Sequence, residues 1–308
     1  MPNFIPFDSA RWLARIENFI VPGEEPTLAG AGPARFDPRL FRLAIHDGEV
    51  IGFAHGGTWE DEFLARLLPD DQPARLGTLM MIAVSPDHRR RGVGRALLKD
   101  LEETLTRTHR IEPPLRADGR GYNPFYGNFV APIPPPFGTA EGIAIPTGHD
   151  GTRAFFQECG FGEEVEATTR FRDLSDRPSF DGAIPEGVVV EEVENYQPIL
   201  GSDDGSAFPV ANESRTWLLR AGDEQLGALV AFPLLAAEGH WAIHSFEVDP
   251  SRRGEGLGKM LLGYAISALA SRGARSLEAL AIPAEGPEAD RLYEGAGFDA
   301  RNTWVVLR

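Results

Sequence analysis

Two short stretches of this chain combine the residue types that grip an oxyanion. One is "SPDHRRRGVGRALL" at 85–98 and the other "DPSRRGEGLGKMLL" at 249–262. Each sets arginines, alternating glycines and a further cation directly before an apolar stretch. In the second, Met260, Leu261, Leu262, Ala265, Ile266 and Leu269 recur at helical spacing. Ahead of it "SFEV" reads as a strand that Asp249-Pro250 brings to an end. The glycines therefore sit at a strand-to-helix junction, where unpaired backbone N–H groups and the positive helix end attract an anion. Glycine lets the main chain wrap closely around oxygen atoms because no Cβ obstructs it. Arg252, Arg253 and Lys259 add local positive charge. The expected ligand is a phosphate or diphosphate.

The elements that must position these loops are themselves repeated. Val84 and Val248, Arg89 and Arg253, Gly92 and Gly256, Gly94 and Gly258, and Leu97 and Leu261 all stand 164 residues apart. Upstream, "LAIHDGEVIGFAHGG" at 43–57 echoes "LLRAGDEQLGALVAF" at 218–232, each an apolar strand, an acidic turn and a second apolar strand. Downstream, "FFQECGFGEEV" at 155–165 echoes "LYEGAGFDARN" at 292–302, with Phe161 and Phe298 only 137 apart. The first copy must then hold 27 additional residues, and the proline-, glycine- and aromatic-rich stretch 113–151 is where they are expected, as a loop ordered over a pocket. Each copy runs hairpin, strand, glycine loop, helix, strand, helix and final strand. That order predicts an α/β fold of two tandem domains, each a mixed, mostly antiparallel sheet flanked by helices. The expected boundaries are 1–175, a turn-rich linker at 176–187, and 188–308.

Familiar nucleotide loops do not fit. A P-loop requires serine or threonine after Gly-Lys, and Met260 follows Lys259. The dinucleotide fingerprint requires a third glycine where Leu261 stands. What remains is Arg-x-x-Gly-x-Gly, written as Arg89 to Gly94 and again as Arg253 to Gly258.

With "VSPDHRRRGVG", "VDPSRRGEGLG" and "LYEGAGF" in this order, the chain resembles the GCN5-related N-acetyltransferase (GNAT) family over both halves. The resemblance implies acetyl-coenzyme A as co-substrate and direct attack in a ternary complex by the amine of a small-molecule or peptide acceptor. It places the diphosphate on the backbone N–H groups of Arg253, Gly254, Glu255, Gly256, Leu257, Gly258 and Lys259. It places the pantetheine arm along Phe246, Glu247 and Val248. The matching positions of the first half are Ile82, Ala83 and Val84, with the loop Arg90, Arg91, Gly92, Val93, Gly94 and Arg95.

Acetyl transfer from a thioester needs a base for the amine, stabilisation of the carbonyl oxygen, and a proton for the departing thiolate. Tyr293 stands where the family places that acid, and its first-half counterpart is Phe156, which has no proton to give. His244, four residues before Val248, is the candidate base; Met80 takes its place in the first half. The second half is therefore expected to do the chemistry, with a first half that binds coenzyme A without turnover. Three other readings stay open: a first half that completes the acceptor pocket through its aromatic loop at 122–137 or is itself the active one, a non-catalytic acyl-coenzyme A sensor or scaffold, and an acetyltransferase of small-thiol biosynthesis with a similar two-domain layout.

Other chemistry is set aside. His240 and His244 have the spacing of a zinc helix, but on a strand four residues span about 13 Å, too far for one ion. No Gly-x-Ser-x-Gly elbow occurs. The single cysteine, Cys159, excludes an internal disulfide and a multi-thiolate metal site, so no metal is expected and a reducing cytoplasm is. The formal net charge is −16, and both halves share it: residues 187–308 carry 18 acids against 10 bases. Such a surface repels nucleic acid and anionic membranes and suits a cationic amine. No apolar run approaches the roughly 20 residues that span a bilayer.

Overall fold

The computed structural model of this chain describes residues 38–58, 77–111, 115, 143–194, 196–198, 207–209, 214–234, 238–284 and 286–307. The first-half hairpin is β1 (Phe41–His46) and β2 (Glu49–Thr58). Asp47 and Gly48 close it with positive φ of 50° and 85°, the twist a two-residue hairpin turn requires. β3 (Gly77–Val84) pairs with β2, giving a three-stranded antiparallel sheet in the order β1-β2-β3. Helix α1 (Val93–His109) packs on it through Leu97, Leu98, Leu101 and Leu105, which share one face at helical spacing. Gly56 on β2 brings the two into close contact, since a Cβ there would stand 2.8 Å from Leu101.

Three further elements of the first half follow: β4 (Ile143–Pro146), α2 (Asp150–Glu158) and β5 (Glu163–Asp173). The end of the stretch 113–151 is thus strand β4 and the start of α2. Leu115 is buried in the first-half core. The other residues of the expected loop lie outside those described.

The second half repeats the plan. β6 (Val188–Glu194) is followed by a two-stranded ladder of β7 (Tyr196–Pro198) and β8 (Ala207–Pro209). Then come β9 (Arg215–Ala221), β10 (Glu224–Pro233), β11 (His240–Val248), α3 (Leu257–Ser271), β12 (Ser276–Ala281), α4 (Pro287–Gly295) and β13 (Asp299–Leu307). The expected order of elements is present in both halves.

The final strands do not stay with their own halves. One eight-stranded sheet runs β4-β13-β5-β12-β11-β10-β9-β6, so two first-half strands lie in it. β5 pairs antiparallel with β12 on one side and with β13 on the other, and β13 pairs in turn with β4. Each half therefore places its last strand beside the penultimate strand of the other. The exchange pairs edges that would otherwise be open, and it ties the two halves by backbone hydrogen bonds.

The larger core lies under α3, where Trp217, Leu219, Leu229, Leu261, Leu262 and Leu269 are fully buried. Each leucine withdrawn from water contributes about 2 kcal/mol, which anchors the helix whose N-terminus faces the glycine loop. Among the described residues no helix is long and apolar enough to cross a membrane.

Candidate functional site

The second-half site begins where two neighbouring strands part. β11 and β12 run parallel and pair only over His240–Ala242 and Ser276–Glu278. Beyond that, β11 stays with β10 while β12 continues along β5, so among the described residues Ile243 to Val248 keep one backbone edge without a ladder. A parallel pair that opens in this way leaves a wedge into which an extended chain can lay its own amides.

A bulge marks the middle of that edge. Ser245 lies opposite Val230 and Ile243 opposite Ala231, which leaves His244 as the extra residue. The first half does the same: Met81 lies opposite His55 and Leu79 opposite Gly56, leaving Met80 over. Met80 and His244 stand 164 apart, so the bulge belongs to the repeat. Bulges re-aim a side chain and raise the local twist, and they recur beside active sites.

Glycine in the neighbouring strand permits the bend at the end of β11. Gly227 pairs with Val248, and a Cβ on it would meet the Glu247 carbonyl oxygen at 2.8 Å. In the first half Gly52 pairs with Val84, and a Cβ would meet the Ala83 oxygen at 2.9 Å. Ile82, Ala83 and Val84 are half-buried on β3. Glu247 is exposed, as its alternation along the strand implies.

The loop after β11 is a shaped cradle. The Asp249 carboxylate accepts from the Ser251 N–H at 2.7 Å and from its hydroxyl at 2.6 Å, which fixes the first turn. Gly254 and Gly256 take φ of +86° and +81°, and a Cβ at either would meet nothing within 4 Å. These positions are glycine for their backbone conformation and face open space. The first amide of α3 to bond back is that of Met260, to the Gly256 carbonyl at 3.0 Å, and no side chain caps the helix. Among the described residues the amides of Leu257, Gly258 and Lys259 have no partner, which leaves them for a ligand.

The cations divide their work. Arg252 is held by Glu255 through two hydrogen bonds of 2.8 Å, so it stiffens the loop and is locally neutralised. Lys259 is exposed and has no acidic partner within 4 Å among the described residues. Arg253 lies near the carboxylates of Glu247 and Asp249.

The first-half loop has the same backbone under different side chains. Arg90 takes φ of +61° where the second half has Gly254, and Gly92 takes +84°. The Ala96 N–H bonds back to Gly92 at 2.9 Å, again leaving the preceding amides open. Here, however, Arg89 Nε donates to the Val84 carbonyl at 2.9 Å. Arg95 is tied to Glu158 at 2.7 Å. Phe155 crowds Gly94, whose Cβ would lie 3.1 Å from its ring; at Gly258 the nearest contact, Leu292, is 3.6 Å.

His244 stands on β11, and Tyr293 of α4 is set against that strand. The Tyr293 ring, 5% exposed, packs on Phe246 with centroids 6.5 Å apart and on Phe298 at 5.3 Å. Burial pushes its phenol up from the usual value, so it stays protonated at any ordinary pH. Phe156 fills the matching place, packed on Phe155 and Phe161. His244 is half-buried with its ring 5.5 Å from that of Phe232. Burial pulls its imidazole down to about 4, which leaves it neutral at ordinary pH and a weaker base than a free imidazole. His240 lies on the strand, as expected, and its Nδ1 meets the Ser276 hydroxyl at 2.5 Å. Burial raises the Cys159 thiol, which suits packing. Among the described residues no group of three metal-ligating side chains comes together.

One cluster escaped the sequence reading. Arg170 on β5 reaches Asp290 and Glu294 on α4, on either side of Tyr293 in sequence. With 120 residues between Arg170 and Asp290, no local spacing announces it.

Comparison with known proteins gives the family and the fold. The model of the acetyltransferase (GNAT) family matches residues 10–116 and again 187–298. A mycothiol acetyltransferase from Thermomonospora curvata is 27% identical, covering 83% of this chain and 77% of that protein. One from Salinispora arenicola is 26% identical, covering 90% and 83%. Among solved structures, a tandem GNAT protein from the clavulanic acid biosynthesis pathway superposes with a TM-score of 0.55 at 15% identity, over 97% of this chain and 95% of that one. A GCN5-related N-acetyltransferase from Sphaerobacter thermophilus gives 0.54 at 16% identity, over 86% and 78%. At such identities the structural likeness speaks to the fold.

Proposed function

Because the chain belongs to the acetyltransferase (GNAT) family, we propose that it moves an acetyl group from acetyl-coenzyme A to the amine of a small molecule, with the chemistry in its second half. The observation that carries this reading is the coincidence, in that half alone, of an amide cradle after β11, a bulge histidine on β11 and a buried phenol on α4 packed against Phe246 of the same strand. The diphosphate is held by the amides of Leu257, Gly258 and Lys259 with the Lys259 charge beside them. The pantetheine arm pairs with the free edge of β11 around Phe246 to Val248.

Neutral His244 relieves the acceptor ammonium of a proton, directly or through water. The freed nitrogen attacks the thioester carbonyl carbon, and the C–S bond breaks as the C–N bond forms. Tyr293 then gives its proton to the departing sulfur, and the second proton of the nitrogen goes to the phenolate so formed, directly or through water. His244 returns its proton to solvent. The first half carries Met80 and Phe156 at these two places and binds coenzyme A without turnover.

A second, narrower reading makes the acceptor the amine of a small thiol. The names of the relatives, which align over most of this chain, favour it. Thiol release from acetyl-coenzyme A across a panel of amino sugars, polyamines, amino acids and cysteinyl conjugates tests both. Release with a cysteinyl amine alone supports the narrower reading. Coenzyme A binding with no release for any amine would leave a sensor in place of an enzyme.

A further inference from the structure

Helix α4, which carries Tyr293, is held from the other half of the chain. Arg170 stands on β5 between Ala279 of β12 and Ala300 of β13, and its side chain is 8% exposed. Its Nε donates to Asp290 Oδ1 at 2.9 Å, a terminal nitrogen meets Asp290 Oδ2 at 2.7 Å, and the other meets Glu294 Oε1 at 3.1 Å. All three guanidinium nitrogens are thereby engaged by two carboxylates one helical turn apart. Such a planar fork fixes the rotation of the helix as well as its distance from the sheet, which a point charge does not do.

The clamp is built around one helix only. In α2 the places of Asp290 and Glu294, 137 residues earlier, hold Arg153 and Gln157, and the place of Tyr293 holds Phe156. The helix with the phenol has the acids, and the helix without it has none at those positions.

Resting on the assignment of Tyr293 made above, we infer that Arg170 is a positioning residue for it, so that the second-half site is completed by a strand of the first half. The exchange of β5 is what brings Arg170 there. A second half expressed alone lacks this contact.

The test uses the full-length chain with its five tyrosines labelled with carbon-13 at Cζ, the Tyr293 signal being the one lost in Tyr293→Phe. Coenzyme A shifts that signal in the native chain. In Arg170→Lys, which keeps the charge and loses the fork, the shift falls by more than about half while the coenzyme A dissociation constant changes less than about two-fold. Glu294→Gln, at the exposed end of the clamp, gives a smaller change of the same kind and serves if Arg170→Lys does not fold. An undiminished shift in a folded variant overturns the inference and leaves the role of Tyr293 standing. A native chain whose Tyr293 signal ignores coenzyme A sinks both.

Discussion

Gly227 and the Glu247 carbonyl are packed so tightly that a single added carbon at Gly227 would stand 2.8 Å from that oxygen. The contact lies where β11 ends and the cradle begins, so the backbone there has no room to give without moving the site. Gly227→Ala is expected to destabilise the fold by about 1–3 kcal/mol and to weaken coenzyme A binding by about ten-fold. Thermal melts and calorimetry check this. A variant that melts lower but binds as well would show that the strand end can move without disturbing the cradle.

Tyr293→Phe removes one oxygen from a ring that Phe246 and Phe298 hold in place. Packing should survive, and coenzyme A affinity with it. Turnover is expected to fall by about ten-fold or more, because the departing sulfur loses its proton donor. Equal initial rates of thiol release from native and variant chains would remove Tyr293 from the chemistry.

The loops were legible because their chemistry is local: Arg-x-x-Gly-x-Gly ahead of a helical apolar pattern carries its own geometry, and Gly254 and Gly256 do take left-handed φ. The bulge was not legible. A one-residue slip at His244 leaves the apolar and polar pattern of its strand readable either way. The exchange of β5 and β13 was hidden for a related reason, since element order is the same whichever half each strand joins. A nearer signal was available for β4: "IAIP" at 143–146 echoes "LAIP" at 280–283 at the same offset of 137 as Phe161 and Phe298. Arg252 counted as a free cation until the fold paired it with Glu255.

Two histidines, one buried and one half-buried, contribute to the response to acid. His55, 1% exposed on β2, is pulled down to about 3 by burial, and His244 to about 4. Their folded values lie below the unfolded value of about 6.5, so the unfolded chain binds the extra protons. The stability they confer is full above about pH 6.5 and is lost as pH falls towards 4 and then 3, each being worth on the order of 3–5 kcal/mol. Urea midpoints measured between pH 7 and pH 4 should fall steadily. A flat profile in the native chain would mean that both rings keep access to water.

The last expectation separates the two cradles by what competes for their cations. In the first half Glu158 holds Arg95 at 2.7 Å; in the second, Gly295 takes the place of Glu158, and Lys259 has no acidic partner among the described residues. Phe155 also crowds Gly94 more closely than Leu292 crowds Gly258. A phosphate entering the first cradle competes with an exposed ion pair, and one entering the second meets an ammonium with no acidic partner among the described residues. Calorimetric titration with coenzyme A should therefore resolve a tighter and a weaker site. Lys259→Ala is expected to weaken the tighter one by about five-fold, with a shallower salt dependence because one cation fewer meets the phosphates. Glu158→Gln should instead tighten the weaker one by freeing Arg95. Two sites of equal affinity, untouched by Glu158→Gln, would show that the cradles are gripped through their amides alone and that the flanking charges contribute little.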